Sequence, residues 1–471
     1  MKKKLFFLTI FALLIGYFTV NYFIGSTSLK SIRNLFSHQQ KYTVKKYIFP
    51  YKLISQQEEH ISQLQELMSK LNWLEVELYF KKSLDDITLI KREDFKLSNN
   101  KTMIRYEFLH GFYTGIVGKI PGGYMDFHQD NLFVLSSRGV LGYSDSFDLK
   151  NNVNDEIYFK QIKNNINDFI GFDQFQKSVT LSAFSLKDIY IDKDKIYISY
   201  TEEIKENCWN TSIIHGNINY ENIIFEKLFS SKDCIITKGS NQNGGRIVNF
   251  DENHILLSVG DYRSRALPQD KKSINGKIIK INISNSNYEI VSMGHRNPQG
   301  LYFDKKNNLI LVTEHGPYGG DEINLIETNK INKDEPLNYG WAVVSAGEHY
   351  CSVNSKTEEQ KEKCSKIYEE FPLYKSHTDH GFIEPLKSFV PSIAISEITK
   401  IGEKKYVIGA MGQGKRIGDQ SLYFFELDNE NKITNLEKVR VFKRVRDLIY
   451  KNNKLYVFLE RPSTIGIISF D

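Results

Sequence analysis

The sequence predicts an all-β fold, a six-bladed β-propeller, preceded by an N-terminal membrane-anchor helix and a short helical segment. A polar turn followed by a short apolar or alternating strand occurs six times, and little helical periodicity separates the copies. Such a recurring unit is typical of a propeller, in which each blade buries its faces only against its neighbours. A β-sandwich would have fewer and more evenly alternating strands. The copies lie at residues 127–135, 190–199, 250–259, 303–312, 401–410 and 449–458.

The interval between the fourth and fifth copies, from Leu309 to Tyr406, is much longer than the others. We therefore predict an insertion there and place it at the charged residues 356–366. Cys351 and Cys364 flank this segment. The four cysteines allow three pairings, of which Cys208 with Cys234 and Cys351 with Cys364 close the shortest loops. Zinc binding is the alternative, but no C-x-x-C spacing is present, so two disulfides are favoured.

The N-terminus reads as a membrane anchor. Residues 5–25 carry no charge, and about 20 apolar residues span a bilayer as a helix. Three lysines precede this stretch, which predicts that the remainder is exported to the periplasm or another extracytoplasmic space. A cleaved signal peptide and secretion are the alternative. We therefore expect an anchor at 1–25, a juxtamembrane segment at 26–110 with a helix near 55–72 and an irregular lead-in, and the propeller at 111–471.

The charge balance argues against a nucleic-acid partner. Formal net charge is +5, the first three lysines contribute much of it, and lysine and glutamate are otherwise interspersed. Residues 294–299 (GHRNPQ) instead crowd polar side chains into a loop near the apolar strand at residues 309–313. Propeller loops gather at the mouth of the central channel, so a small-molecule pocket is expected there. An ordinary surface turn is the alternative.

Three segments then occur in a fixed order, GHRNPQGLYFD (294–304), EHGPYGGDEINLI (314–326) and NYGW (338–341). Together they resemble the soluble quinoprotein sugar dehydrogenases, the glucose/sorbosone dehydrogenase family. Members of this family are six-bladed propellers that hold pyrroloquinoline quinone (PQQ) and calcium. The resemblance covers about residues 180–460. It implies an oxidoreductase that oxidises an aldose sugar or a related alcohol and passes electrons to a carrier that the sequence does not identify.

The resemblance also implies roles for individual residues. Arg296 and Asn297 match residues that contact PQQ, and Gln299 lies in the same loop. Gly316 and Pro317 match the pair whose backbone carbonyls bind calcium, which prefers oxygen ligands.

Near the C-terminus, Arg444 and Arg446 lie in a segment, KRVRD, that resembles the family's R-x-R-D motif. The motif's arginines address the carboxylates of PQQ. Guanidinium groups pair with carboxylates through two parallel hydrogen bonds, so the chemistry is consistent. Alternate residues of a strand share one side, and an exposed strand face is the structural alternative for this pair.

One position departs from the family. The catalytic histidine of the pattern H-x-x-G-R-L falls on Gln242 in SNQNGGRIVNFD (240–251), although residues 245–247 keep the Gly-Arg-Ile portion. Glutamine takes up no proton at neutral pH and cannot act as a general base. The family's G-Q-G-G segment, expected near residues 176–181, is not recognisable either. Two alternatives therefore stand beside the dehydrogenase, a non-catalytic propeller that binds PQQ or a saccharide, and a metal-dependent lactonase-like hydrolase.

Overall fold

A computed structural model describes residues 50–81, 87–110, 112, 122–136, 139–144, 156–170, 186–236, 242–332, 334–412 and 419–470. The chain divides into two compact parts, residues 1–68 and 69–471. The predicted anchor at 1–25 and the segment at 176–181 lie outside the described residues. Within the described ranges, no helix is both long and apolar enough to cross a membrane.

Three α-helices are present in the described residues. Helix α1 (Pro50–Lys81) covers the helix predicted near 55–72 and is longer at both ends. Helix α2 (Tyr350–Asn354) lies just before the insertion predicted at 356–366, and α3 (Glu358–Glu370) covers most of that segment. Thr357 and Gln360 form a reciprocal capping box that satisfies the first backbone N–H groups of α3. Both favoured disulfides, Cys208–Cys234 and Cys351–Cys364, are present.

The strands form six antiparallel sheet units, with four short strands alongside. Their bounds follow in chain order. Strands β1 (Ile87–Lys96) and β2 (Thr102–His110) come first. The first unit has β3 (Gly123–His128), β4 (Asn131–Ser136), β5 (Leu141–Ser144) and β6 (Glu156–Gln161), followed by the short β7 (Lys163–Asn164). The second has β8 (Leu186–Asp192), β9 (Lys195–Lys205), β10 (Cys208–Asn217) and β12 (Glu226–Ser230), with the short β11 (Asn222–Ile223) and β13 (Ile235–Ile236). The third has β14 (Gly244–Asn249), β15 (His254–Val259), β16 (Lys277–Asn282) and β17 (Tyr288–Met293). The fourth has β18 (Pro298–Asp304), β19 (Leu309–Glu314), β20 (Asp321–Glu327) and β22 (Lys387–Phe389), with the short β21 (Leu337–Asn338) before β22. The fifth has β23 (Ile395–Gly402), β24 (Lys405–Ala410), β25 (Ser421–Leu427) and β26 (Ile433–Arg440). The sixth has β27 (Arg444–Lys451), β28 (Lys454–Glu460) and β29 (Thr464–Ser469), and β2 is its fourth strand.

The first strands of the units contact one another in a closed cycle, β3 to β8, β14, β18, β23, β27 and back to β3. Each of the six repeated sequence phrases spans the hairpin between the first and second strands of one unit. The arrangement is propeller-like, with the first strands innermost. The starts of the innermost strands therefore meet around one central region, and side chains from distant parts of the sequence converge there.

Six of the seven hydrophobic clusters in the described residues each lie between two neighbouring units. The seventh is smaller and contains Trp341, Ala342 and Leu373. The second strand of each unit supplies both of its interfaces, because alternate side chains point to opposite faces. In β24, for example, Tyr406 and Ile408 pack towards the fourth unit, whereas Val407 packs towards the sixth. Each unit is thus buried only through its neighbours, which is why the chain repeats the same strand pattern six times.

Buried carboxylates tie the innermost strands together. Asp126 on β3 accepts from the backbone N–H of Ile191 on β8, at 2.5 Å. Asp188 on β8 accepts in the same way from Ile247 on β14, at 2.8 Å. Burial raises the pKa of Asp126 to about 8, although the backbone N–H groups of Ile191 and Phe127 oppose this rise. Such contacts satisfy backbone groups that would otherwise be buried without partners.

The irregular lead-in predicted up to residue 110 is wrong for its last part. Strand β2 pairs antiparallel with β29, and β1 pairs with both β2 and β6. Residues 87–110 therefore belong to the sheets and join the first unit to the sixth. Neither β1 nor β2 belongs to a copy of the repeat of a polar turn and a short strand, so the repeat did not predict these two strands.

Candidate functional site

The residues predicted for catalysis and PQQ binding lie at the starts of three innermost strands, whereas Gly316 and Pro317 lie between β19 and β20. Gln242 comes two residues before β14, Arg296 and Asn297 directly precede β18, and Arg444 begins β27. A cavity of about 400 Å³ opens beside the first two of these strands. It is lined by Gln242, Asp261, Arg263, Arg265, Arg296, Pro317, Trp341, His349 and Tyr350.

Gln242 bridges two charged residues in this cavity. In the amide orientation that satisfies both neighbours, its nitrogen donates to Asp261 Oδ1 and its oxygen accepts from Arg296 Nη2, both at 2.7 Å. Its backbone is held in the left-handed region at φ 67°. The carbonyl of Gln242 also accepts from the N–H of Tyr262 at 3.0 Å. The Gln242 side chain therefore links the Asp261 carboxylate to the Arg296 guanidinium, and both hydrogen bonds fix its position.

Arg296 is buried and forms one wall of the cavity. Its Nη1 donates to the carbonyls of His315 and Gly316, at 2.9 and 2.6 Å. Its guanidinium lies over the rings of Trp341 and Tyr350, 5.3 and 5.9 Å from their centroids. Aromatic faces and carbonyl oxygens both favour a cation, so the guanidinium is held in one place.

The two residues predicted to bind calcium behave differently. Pro317 lines the cavity, whereas the carbonyl of Gly316 is engaged by Arg296. Calcium takes six to eight oxygen ligands, often carboxylates. The described residues contain no cluster of three His, Cys, Asp or Glu side chains able to hold a metal. The predicted ligands are backbone carbonyls, which a cluster of side chains does not include, so the calcium assignment stays a prediction.

Arg444 and Arg446 share the buried carboxylate of Glu460. Their Nε atoms donate to its two oxygens at 2.8 and 2.6 Å. Arg446 Nη1 also lies 3.4 Å from Gln299 Oε1, which connects this pair to the loop before β18. Arg444 turns towards the carbonyls of Met411 and Gly412, at 3.1 Å each. Two guanidiniums against one carboxylate leave an excess of positive charge.

Asn297 and Gln299 complete the contact between β14 and β18. Asn297 Oδ1 accepts from the N–H of Gly244 at 3.3 Å and from Gln299 Nε2 at 3.1 Å.

His315 connects the two predicted sets of arginines. Burial lowers the pKa of His315, and the nearby charges of Arg296 and Arg446 lower it further. Of these two arginines, Arg296 lines the cavity and Arg446 does not.

A family model for glucose/sorbosone dehydrogenases matches residues 176–465, well over half of the chain. The chain belongs to this family. The resemblance predicted from the three sequence motifs is thereby confirmed.

Curated relatives of this family member match it over shorter stretches. The aldose sugar dehydrogenase YliI of Escherichia coli is 28% identical over 172 residues, 33% of this chain and 44% of the relative. The quinoprotein glucose dehydrogenase B of Acinetobacter calcoaceticus is 30% identical over 134 residues, 26% and 24% of the two chains. An uncharacterized protein of Synechocystis matches over 45% of this chain and 51% of its own length, at 28% identity. The chain thus spans about half the length of these relatives or less.

Solved structures support the fold over a larger share of the glucose/sorbosone dehydrogenase chain. The apo-form of the soluble aldose sugar dehydrogenase of Escherichia coli matches with a TM-score of 0.54 at 20% identity, covering 73% of this chain and 94% of that chain. A glucose dehydrogenase structure matches with the same TM-score at 18% identity, covering 74% and 96%. At this level of identity, the matches establish the fold.

Asp261 is a cavity residue that none of the sequence motifs predicts. It is fully buried, and Trp341 Nε1 donates to its Oδ2 at 2.8 Å. Burial raises its pKa to about 6, and the nearby Arg296 opposes this rise. Asp261 follows β15, the second strand of a repeat copy. An acidic residue directly after an apolar repeat strand was the signal that could have found it.

Arg246 belongs to the Gly-Arg-Ile portion of the family pattern, for which the sequence predicts no role, yet it is the charge centre of the innermost strands. It forms buried ion pairs with Asp188, Asp447 and Glu397, at 2.9, 2.8 and 2.7 Å. It also donates to the carbonyls of Gln299 and Arg446. Burial raises the pKa of Glu397 to about 8, and Arg246 opposes this rise. These partners come from four other units, so no local pattern reveals them.

The Cys351–Cys364 disulfide supports one side of the cavity. It joins α2 to α3, and the cavity residues His349 and Tyr350 lie at the start of α2. We expect replacement of both cysteines by serine to lower the free energy of unfolding by about 2–4 kcal/mol and to expose residues 352–363 to protease. Urea titration and limited proteolysis measure the two effects. The matched control replaces Cys208 and Cys234, which should leave cleavage at 352–363 unchanged, and equal cleavage in all variants would contradict the expectation.

Proposed function

We propose that this protein is a PQQ- and calcium-dependent sugar dehydrogenase that oxidises an aldose or a related alcohol. Family membership supports the reaction class. The observation that carries the proposal is the convergence of Gln242, Asp261 and Arg296 in one cavity. The loop before β18, which carries Arg296, is also joined to Arg446 through Gln299. A six-bladed propeller is the architecture that would bring these segments together at a channel mouth.

The basic residues of the site suit an anionic cofactor. PQQ is a planar tricarboxylate, and when bound it supplies the acceptor for two electrons from the substrate. Arg296, Asn297, Gln299, Arg444 and Arg446 would hold it. The excess positive charge of the Arg444–Arg446–Glu460 cluster favours a carboxylate there. Lys187 Nζ lies 3.4 Å from Asn243 Oδ1, and burial and the charge of Arg446 lower the pKa of Lys187 to about 7. Lys187 is therefore only partly charged at neutral pH, and a bound carboxylate would favour its charged form.

Asp261 is the group we assign as proton acceptor, in place of the histidine that Gln242 lacks. An ionised carboxylate offers about four acceptor positions. Gln242 and the N–H of Arg263 approach Oδ1, and Trp341 approaches Oδ2. Oδ2 therefore keeps an acceptor position for the substrate hydroxyl. A pKa of about 6 leaves the group ionised at neutral pH and still able to take a proton as the hydride leaves the sugar carbon.

We also propose that the protein works outside the cytoplasm, in the periplasm where a second membrane is present. The charge-free residues 5–25 behind three lysines support attachment to the inner membrane by a single helix. Separation of membrane and soluble fractions before and after signal-peptidase treatment would distinguish an anchored from a secreted chain. The electron acceptor is a soluble or membrane carrier that meets the reduced cofactor there.

The decisive test loads the purified full-length chain with PQQ, in calcium and in chelator, and measures dye reduction with a panel of aldoses. We expect saturable PQQ binding and sugar-dependent dye reduction. Chelator that abolishes binding would support the calcium part of the proposal, and unchanged binding would remove it. Binding without dye reduction would instead support the non-catalytic alternative that Gln242 suggests. Absence of PQQ binding would reject both readings.

A further inference from the structure

The cavity carries more positive charge than a neutral aldose needs. Three arginines, Arg263, Arg265 and Arg296, line it, whereas Asp261 is the one carboxylate among the lining residues that the structure describes. Burial lowers the pKa of His349, another lining residue, which favours its neutral form. Even with Arg296 assigned to PQQ, Arg263 and Arg265 carry one positive charge more than ionised Asp261 balances.

Arg265 lacks a hydrogen-bond partner for one of its buried atoms. Its Nε is shielded from solvent and contacts no acceptor among the described residues. Burial lowers the pKa of Arg265, Asp261 opposes this, and Arg296 adds to it. A guanidinium stays protonated in proteins, so the cost of burying it falls when an anion is supplied.

The loop that presents these arginines is held in an unfavourable conformation. Tyr262 and Arg263 have φ of 50° and 66°, in the left-handed region that non-glycine residues rarely occupy. The Asp261 carboxylate accepts from Arg263 N–H at 2.8 Å, and the carbonyl of Asp261 accepts from Ser264 N–H at 2.8 Å. Such strain persists only where the surroundings enforce it, and it is concentrated at ligand sites.

From these observations we infer that the substrate is an aldose bearing an oxyanion, a carboxylate or a phosphate, which Arg263 and Arg265 bind. This inference rests on the proposed function and narrows its substrate class. The cavity volume of about 400 Å³ lies within the usual range for small-molecule sites. Trp341 and Tyr350 supply the aromatic faces against which the apolar face of a sugar ring packs. Arg263 and Arg265 lie outside the residues assigned to PQQ.

Isothermal calorimetry on the full-length, PQQ-loaded chain tests the inference with glucose, glucuronate and glucose 6-phosphate as probes. We expect at least one anionic sugar to bind about 10-fold or more tightly than glucose, because a hydrogen bond to a charged group contributes about 1.5–3 kcal/mol. Glucuronate alone would identify a carboxylate site, glucose 6-phosphate alone a phosphate site, and both a general oxyanion site. Equal affinity for all three sugars would overturn the inference.

The variants Arg263→Gln and Arg265→Gln test the assigned residues. We expect each to weaken binding of the anionic sugar by about 10-fold or more and that of glucose by less than about 2-fold. Arg263 is exposed, so its replacement should fold even if that of Arg265 does not. Arg440→Gln, an exposed arginine on β26, is the matched control and should change neither affinity.

The same variants separate failure of the inference from failure of the proposed function. Loss of PQQ affinity rather than sugar affinity in Arg263→Gln would assign these arginines to the cofactor and overturn the inference. Dye reduction by neutral aldoses with no preference for anions would keep the proposed function and reject the inference. Arginine-dependent binding of an anionic sugar without dye reduction would keep the inference about binding and reject the proposed dehydrogenase function.

Discussion

Replacing Arg246 with methionine is expected to lower the free energy of unfolding by about 3–5 kcal/mol, the usual cost of leaving buried charges without their partner. Arg246 is the shared counter-ion of Asp188, Asp447 and Glu397, and the side chains of all four residues are almost completely buried. The free energy of unfolding of Arg246→Lys should lie between those of the original chain and Arg246→Met, because one ammonium cannot reach the same set of acceptors. Urea titration followed by fluorescence measures the change.

The loss of stability caused by Arg246→Met should depend on pH. Burial raises the folded-state pKa of Asp188 to about 7 and that of Glu397 to about 8, well above their unfolded values. The folded chain then binds more protons than the unfolded chain between about pH 4 and 8, so stability falls as pH rises through that window. Removing Arg246 raises both pKa values further. We therefore expect the difference between the variant and the original chain to be larger at pH 8 than at pH 5.5.

The control for this prediction is Arg92→Met. Arg92 pairs with Glu107 on the surface, where solvent screens the interaction, so its loss should change the urea midpoint very little. Equal midpoints for the Arg246 and Arg92 variants would show that the buried charge centre does not hold the innermost strands together.

Replacing Asp261 with asparagine should reduce kcat/KM for the sugar by about 10²–10⁴-fold, the usual contribution of a positioned general base. Asparagine has nearly the same shape and can still accept from Trp341 through its oxygen, but its NH2 group then faces the N–H of Arg263 in place of Oδ1. PQQ affinity should remain within a few-fold of the original value. Steady-state dye reduction and PQQ titration measure these quantities separately.

The pH profile gives a second readout for Asp261. Because the pKa of this carboxyl is about 6 and the ionised form accepts the proton, kcat/KM should rise with pH up to about 6 and level off above it. The asparagine variant should lose this rise. Asp270→Asn, an exposed acid in the same interstrand connection, is the control and should keep it. If Gln242→His instead raises turnover by about 10²-fold and retains it without Asp261, position 242 carries the base.

The candidate site was predictable to the extent that its residues lie in short motifs. Gln242, Arg296 and Pro317 were each selected from local sequence, and all three line one cavity. Arg444 and Arg446 were selected in the same way, but their shared partner Glu460 lies on β28 and was not. The calcium pair was placed by the same reasoning, and its Gly316 carbonyl is bound by Arg296.

The six strand hairpins, both disulfides and the family could be predicted from the amino-acid sequence, because each depends on residues close together in the chain. The use of β1 and β2, the bridge from Gln242 to Asp261, and the charge centre at Arg246 became evident in the folded structure alone. The contacts of Arg246 join residues about 60 to 200 positions apart. Periodicity and motif spacing report neighbours along the chain, whereas the closing of the sheet units brings distant side chains to one buried place, where the loss of solvent sets their charge and their pairing.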